Sequence, residues 1–135
     1  MDEAVIKYYR QLLRAGFEYA GSIDSPSILL ESIGDGRVCG AGDYLRMFVN
    51  VSNGRIDDIK YLCRCDPTAN VAIEILCALL KGKRLDEVEA MTEDSFFQAL
   101  GSRSDSLREK AKGLLELLNR ELAGYRTKMS QTDLR

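Results

Sequence analysis

The dipeptide Asn53-Gly54, set between two stretches of alternating apolar residues, constrains this chain more than any other feature. From Tyr44 to Ser52 the pattern puts Leu45, Met47, Val49 and Val51 on one face. Asn53-Gly54 then supplies the residue pair that tolerates the positive φ angles of a type I′ turn. The return strand, about Ile56 to Cys63, sets Ile59, Tyr61 and Cys63 on one face. Ile56 is out of phase with these three, which predicts a bulge or twist near Asp57-Asp58. A short strand from Ile28 to Ile33, ended by Gly34-Asp35-Gly36, makes three antiparallel strands the economical reading.

Helical spacing surrounds these strands. Asp2 is an N-cap for a helix over 3–15, with Val5, Tyr8, Tyr9, Leu12 and Leu13 recurring and Gly16 as its stop. Asp66-Pro67 opens a second helix, the Asp as N-cap and the Pro where no N–H is needed. It runs through Val71, Ala72, Ile75, Leu76, Leu79 and Leu80 to Lys81-Gly82-Lys83. Short helices follow at 85–91 and at Glu93 to Leu100, the latter capped by Thr92 and closed by Gly101-Ser102. The last helix, 105–123, carries the stripe Leu107, Ala111, Leu114, Leu115, Leu118 and Leu122. Residues 124–135 are polar without a stripe and read as a flexible tail after a single domain at 1–123. Strands followed by a run of helices predict an α+β fold, a three-stranded antiparallel sheet with helices packed on one face.

Length and charge narrow the function classes. At 135 residues there is material for one core. A net charge of −2 gives no basic footprint for nucleic acid. No apolar run approaches the roughly 18–20 residues that span a bilayer, and Met1-Asp2-Glu3 is acidic where a secretory signal is basic. The expectation is a cytoplasmic protein that binds neither nucleic acid nor membrane.

Four cysteines, Cys39, Cys63, Cys65 and Cys77, stand in a chain without histidine. In a reducing compartment the live readings are metal binding, thiol chemistry and core filling. Cys63 and Cys65 share a face if the strand continues that far. Cys65 also precedes a helix N-cap, where the dipole favours a thiolate, and Arg64 adds to that field. Cys39 sits on the small-residue turn Cys39-Gly40-Ala41-Gly42-Asp43, with the Asp43 carboxylate at the strand's edge. Cys77 falls with Asn70, Glu74 and Lys81 on the polar arc of its helix and reads as a partly covered bystander. About 18 Å of helix axis separates it from Cys65. Lys81 and Lys83 complement the helix dipole or contact a partner. No phosphate loop, Ser/His/Asp set or acid/base pair is present, so no enzyme activity is expected.

In order and spacing these pieces resemble the NifU/IscU-type iron–sulfur cluster scaffolds over roughly residues 4–122. Cys39-Gly40-(Ala41-Gly42)-Asp43 is similar to the family's Cys-Gly-Asp motif, here split by two residues. Asn53 to Tyr61 resembles its hairpin turn and return strand. Cys65, Lys81-Gly82-Lys83 and Leu85-Asp86-Glu87 resemble its second cysteine, Lys-Gly-Lys helix end and following helix start. Tyr8-Tyr9 and Ala20-Gly21-Ser22 resemble its opening. The third ligand cysteine is missing, its equivalent falling near Ala111, with Lys110 before it.

The resemblance implies a scaffold that binds iron and sulfide through thiolates and passes the cluster on. Its partners would be a cysteine desulfurase and apo iron–sulfur recipient proteins, and a homodimer is compatible with it. The expected ligand set is Cys39, Cys63 and Cys65 with Asp43, Cys63 replacing the lost thiolate. Such a set suits a transient iron–sulfur cluster or zinc. Lys81 and Lys83 are the expected partner-binding residues. Two alternatives stay open: a SufE-like acceptor of persulfide sulfur from a desulfurase, and an adaptor of the same fold without chemistry.

Overall fold

The computed structural model describes residues 2–34 and 38–133, with side chains as far as Met129. In chain order the elements are α1 (Glu3–Ala15), β1 (Ile28–Ile33), β2 (Tyr44–Ser52), β3 (Arg55–Arg64), α2 (Pro67–Leu80), α3 (Leu85–Glu89), α4 (Glu93–Leu100) and α5 (Asp105–Asp133). The strands form one antiparallel sheet in the order β1-β2-β3.

Both turn residues between β2 and β3 adopt positive φ, 54° at Asn53 and 73° at Gly54, as a type I′ hairpin requires. The expected irregularity is present. Val51 pairs with Ile56 and Asn50 with Asp58, leaving Asp57 as the extra residue of a bulge. The bulge returns Ile56 to the same side as Ile59 and Tyr61, and all three are buried. Leu30, Leu45, Met47 and Val49 join them on the face that the helices cover. The other face stays open and shows Leu29, Ile33, Tyr44 and Leu62 to solvent.

The caps follow the sequence. Val5 N donates to Asp2 Oδ1 at 3.0 Å and Ala69 N to Asp66 Oδ1 at 2.8 Å. Pro67 stands in the first turn of α2. Thr92 occupies the N-cap of α4 without a side-chain hydrogen bond, and Gly101 ends that helix at φ 85°. Gly34 closes β1 with a bond from its N–H to Asp43 O. Asp35 and Gly36, the rest of the expected stop, lie outside the described residues.

Two boundaries differ from expectation. α3 ends at Glu89, two residues early, because Ala90 and Met91 turn back onto Glu87 and Val88. α5 continues ten residues past 123 to Asp133. Gly124 costs a helix interior only about 1 kcal/mol relative to Ala and does not stop it. Tyr125 still packs against the core, and Arg126 reaches Glu89 at 3.0 Å. No helix among the described residues is long and apolar enough to cross a membrane.

The outer edge of β3 is covered rather than bare. Tyr61 N donates to Tyr19 O and Gly21 N to Tyr61 O, so the segment after α1 runs alongside the strand. At the hairpin end, Ile56 N donates to Lys83 O and Gly82 N to Ile56 O. That exchange pins the exit of α2 to the turn.

Candidate thiol site

β3 ends at Arg64 and α2 begins at Pro67, so Cys63, Cys65 and the cap Asp66 occupy one strand-to-helix corner. Alternation along β3 turns Tyr61 and Cys63 toward the helices and Leu62 and Arg64 outward. Cys65, two residues on, keeps that direction. The two sulfurs lie 2.7 Å apart as a thiol–thiol hydrogen bond, and both residues are half-buried. The contact splits their acidity. Sharing a proton with Cys65 holds Cys63 below the ordinary thiol range, while the same bond, burial and the nearby Cys63 charge push Cys65 up. The pair therefore carries one negative charge more readily than two.

Asp43 stands at the start of β2, opposite this corner. Its N–H donates to Gly40 O at 3.0 Å, closing the tight turn in which Gly42 takes φ 82°. Its carboxylate faces Arg64 at 3.9 Å, with Arg64 largely in solvent. Cys39, at the head of the turn, is 1% exposed, so it joins the core beneath the corner instead of lining an open loop. Its charge would still oppose ionisation of Cys65.

The corner holds a cation that the sequence reading did not assign to the site. Lys110, on α5, is 18% exposed. Its Nζ donates to Val38 O at 3.0 Å and lies 3.4 Å from Asp66 Oδ2. One side chain thus joins the residue before Cys39 to the residue after Cys65. The only signal for it in the sequence was its position next to Ala111, which is itself fully buried.

The middle of the polar arc of α2, Glu74 and Cys77, turns inward rather than outward. Cys77 is fully buried, not partly covered, and Glu74 is 3% exposed. Tyr61 OH donates to Asn70 Oδ1 at 2.9 Å. Burial raises the Glu74 pKa, opposed by the neighbouring Tyr61 hydroxyl and the Tyr19 backbone, and Oε2 of Glu74 has no partner among the described residues. Burial, with Glu74 close by, also pushes the Cys77 thiol well up. The arc misled because the segment after α1 covers it, and helical periodicity carries no information about that segment.

Lys81 and Lys83 stand at the far end of α2, exposed and half-buried respectively. Fourteen residues at about 1.5 Å each put them roughly 20 Å from the thiols.

Cys63 and Cys65 are therefore together, Asp43 and Cys39 flank them from the preceding loop, and Cys77 stands apart. Soft thiolates with one carboxylate suit iron or zinc. Among the described residues, however, no group of three or more Cys, Asp or Glu is gathered closely enough to hold a metal ion as it stands.

Residues 18–132 match the family described as NifU-like N terminal domain. No curated protein matches the chain. Among solved structures it is similar to a protein from Fervidobacterium islandicum named as an iron–sulfur cluster assembly scaffold for the SUF system. That match has TM-score 0.63 and 15% identity, covering 90% of this chain and 96% of that one. A NifU-like protein (N-terminal) from Brucella abortus gives TM-score 0.54 and 11% identity, covering 89% and 81%. A structure described as a hypothetical protein gives 0.58 and 14%, covering 87% and 98%. At these identities the likeness speaks for the fold.

Proposed function

The chain belongs to the NifU-like N terminal domain family, and from that premise we propose that it is a cytoplasmic scaffold for iron–sulfur cluster assembly. In this reading the cluster is cargo, not a resident cofactor. Sulfur comes from a cysteine desulfurase, and the finished cluster leaves for apo recipient proteins. The protein acts as a carrier rather than a catalyst.

The observation that carries the reading is the contact between Cys63 and Cys65 at 2.7 Å, at a half-buried corner where a helix begins. Two thiols facing one another at a helix N-terminus offer soft ligands beside the positive end of a dipole. Cys39 would be the third sulfur donor and Asp43 an oxygen donor. Asp43 is held by Arg64 only through a long, exposed ion pair, the kind worth about 0–1 kcal/mol, so its carboxylate is free to turn. Cys39 must move out of the core to reach a shared metal. Such a shell is loose, which suits cargo that has to leave. Zinc would find the same donors. Lys81 and Lys83 would meet a partner at a surface remote from the thiols.

A second reading, persulfide acceptance without metal, gains support from Cys63, which is half-buried and held below the ordinary thiol range by its bond with Cys65. Anaerobic loading with iron and sulfide separates the two. Bound iron with sulfide-to-iron absorption, lost in Cys63→Ser, supports the scaffold. A chain that takes up neither iron nor zinc overturns it.

A further inference from the structure

The sulfurs of Cys63 and Cys65 are in contact, and both remain thiols. Cys63 lies in β3 and Cys65 directly follows Arg64, the last residue of that strand. Two residues at about 3.3 Å each separate their Cα atoms by about 6.6 Å, inside the roughly 4.4–6.8 Å that a disulfide spans. Half-burial leaves the corner reachable by a donor, and the two sulfurs already touch.

We propose that the Cys63–Cys65 pair is an internal two-electron reductant, which turns sulfur delivered as a persulfide into free sulfide. The proposal rests on the reading of this corner as the place where sulfur is received, and adds what happens to that sulfur. A persulfide donor R–S–SH is attacked at its outer sulfur by one of the two thiols. The donor's S–S bond breaks, R–SH leaves, and the cysteine becomes Cys–S–SH. Its inner sulfur is the atom the second cysteine already touches. The second sulfur attacks there, a Cys63–Cys65 bond forms, and the inner–outer S–S bond breaks. The outer sulfur departs with the bonding electrons as hydrosulfide and takes the proton that the attacking thiol gives up. The sum is R–S–SH + 2 Cys–SH → R–SH + H₂S + Cys–S–S–Cys. The sulfane sulfur is reduced by two electrons and the two thiols are oxidised. A dithiol reductant resets the pair for another turn.

Contact decides which sulfur is attacked. A solvent thiol reaches either end of a persulfide, whereas the neighbouring cysteine meets the inner sulfur with no encounter step. The same step runs from either side, so the proposal is independent of which cysteine is loaded first. Sulfide would then arise at the corner where Cys39 and Asp43 stand, with no separate electron donor needed for the first equivalent.

The test uses the reduced full-length chain, held anaerobically with one equivalent of a low-molecular-weight alkyl persulfide and no other reductant. Sulfide release and intact mass are followed together. The expected result is one sulfide per chain, loss of two hydrogens from the protein, and a peptide map joining Cys63 to Cys65. Cys63→Ser and Cys65→Ser should each lose the sulfide release and retain one added sulfur on the remaining thiol. A wild-type chain that holds a stable added sulfur and forms no disulfide overturns the proposal while leaving sulfur acceptance intact. A disulfide mapped to any other pair also overturns it. A chain whose mass is unchanged, with neither added sulfur nor a disulfide and no sulfide released, removes the proposal and the sulfur-receiving reading together. The wild-type mass and peptide map decide together without the variants, so the outcome stands even where a serine variant fails to fold.

Discussion

The hydroxyl of Tyr61 on β3 donates to Asn70 Oδ1 on α2 at 2.9 Å. This bond ties the strand that carries Cys63 to the helix that begins beyond Cys65. It is also bordered by Glu74, one of whose carboxyl oxygens has no partner among the described residues. Tyr61→Phe keeps the ring and deletes the donor. With Asn70 left short of a partner in a half-buried place, the variant should lose about 1–2 kcal/mol. Urea unfolding should show a lower midpoint at an unchanged slope.

Glu74 gives the fold a pH dependence of its own. Burial raises its pKa in the folded protein above the ordinary 4.5. Below 4.5 both states hold the proton and the residue contributes no slope. Above 4.5 the unfolded chain ionises first, so the folded state binds more protons and stability falls as pH rises. The fall levels off once the folded carboxyl ionises as well. Glu74→Gln has no such titration. Its stability relative to the parent should therefore rise from pH 4.5 toward neutrality, measured as unfolding midpoints across that range. A difference independent of pH would refute the assignment.

Lys110 is expected to guard Cys39. Its ammonium holds Val38 O at 3.0 Å, directly before the buried cysteine, and is itself steadied by Asp66. Lys110→Met retains the aliphatic stem and removes the charged donor, at about 1.5–3 kcal/mol for a charge-assisted hydrogen bond. In native protein the variant should alkylate faster at Cys39, with Cys63 and Cys65 little changed. Peptide-resolved alkylation kinetics read this directly. Equal Cys39 rates in both proteins would show that the core, not Lys110, shields the thiol.

How far the sequence reaches can be seen at particular residues. Asn53 and Gly54 determine the hairpin through their own backbone preferences, and the phase error at Ile56 announces the Asp57 bulge, because strand alternation is a local rule. Asp2 and Asp66 act as caps through bonds to residues three positions on. The Cys63–Cys65 contact is equally local, an i,i+2 pair on extended chain. What periodicity misses is whatever another segment supplies. Lys110 reaches Val38 across 72 positions of sequence. Glu74 and Cys77 look solvent-facing until the Tyr19–Gly21 segment is laid along β3. The length of α5 is not legible because a polar stretch without a stripe still extends a helix already nucleated.

Cys77 supplies the sharpest contrast among the four thiols. It lies fully inside the core, two turns along α2 from the Asn70 bond, and burial with the neighbouring Glu74 suppresses its thiolate. Only packing is lost when its sulfur is removed. Cys77→Ala deletes one heavy atom, comparable to a methylene, and should cost about 1 kcal/mol. In the native parent Cys77 should be the last cysteine to alkylate, reacting only as the protein opens. Iron and sulfide loading per folded chain should match the parent in Cys77→Ala and fall in Cys63→Ser. A Cys77→Ala protein that folds yet fails to load would move the sulfur-binding centre away from the corner of β3 and α2 and into the interior beside Glu74.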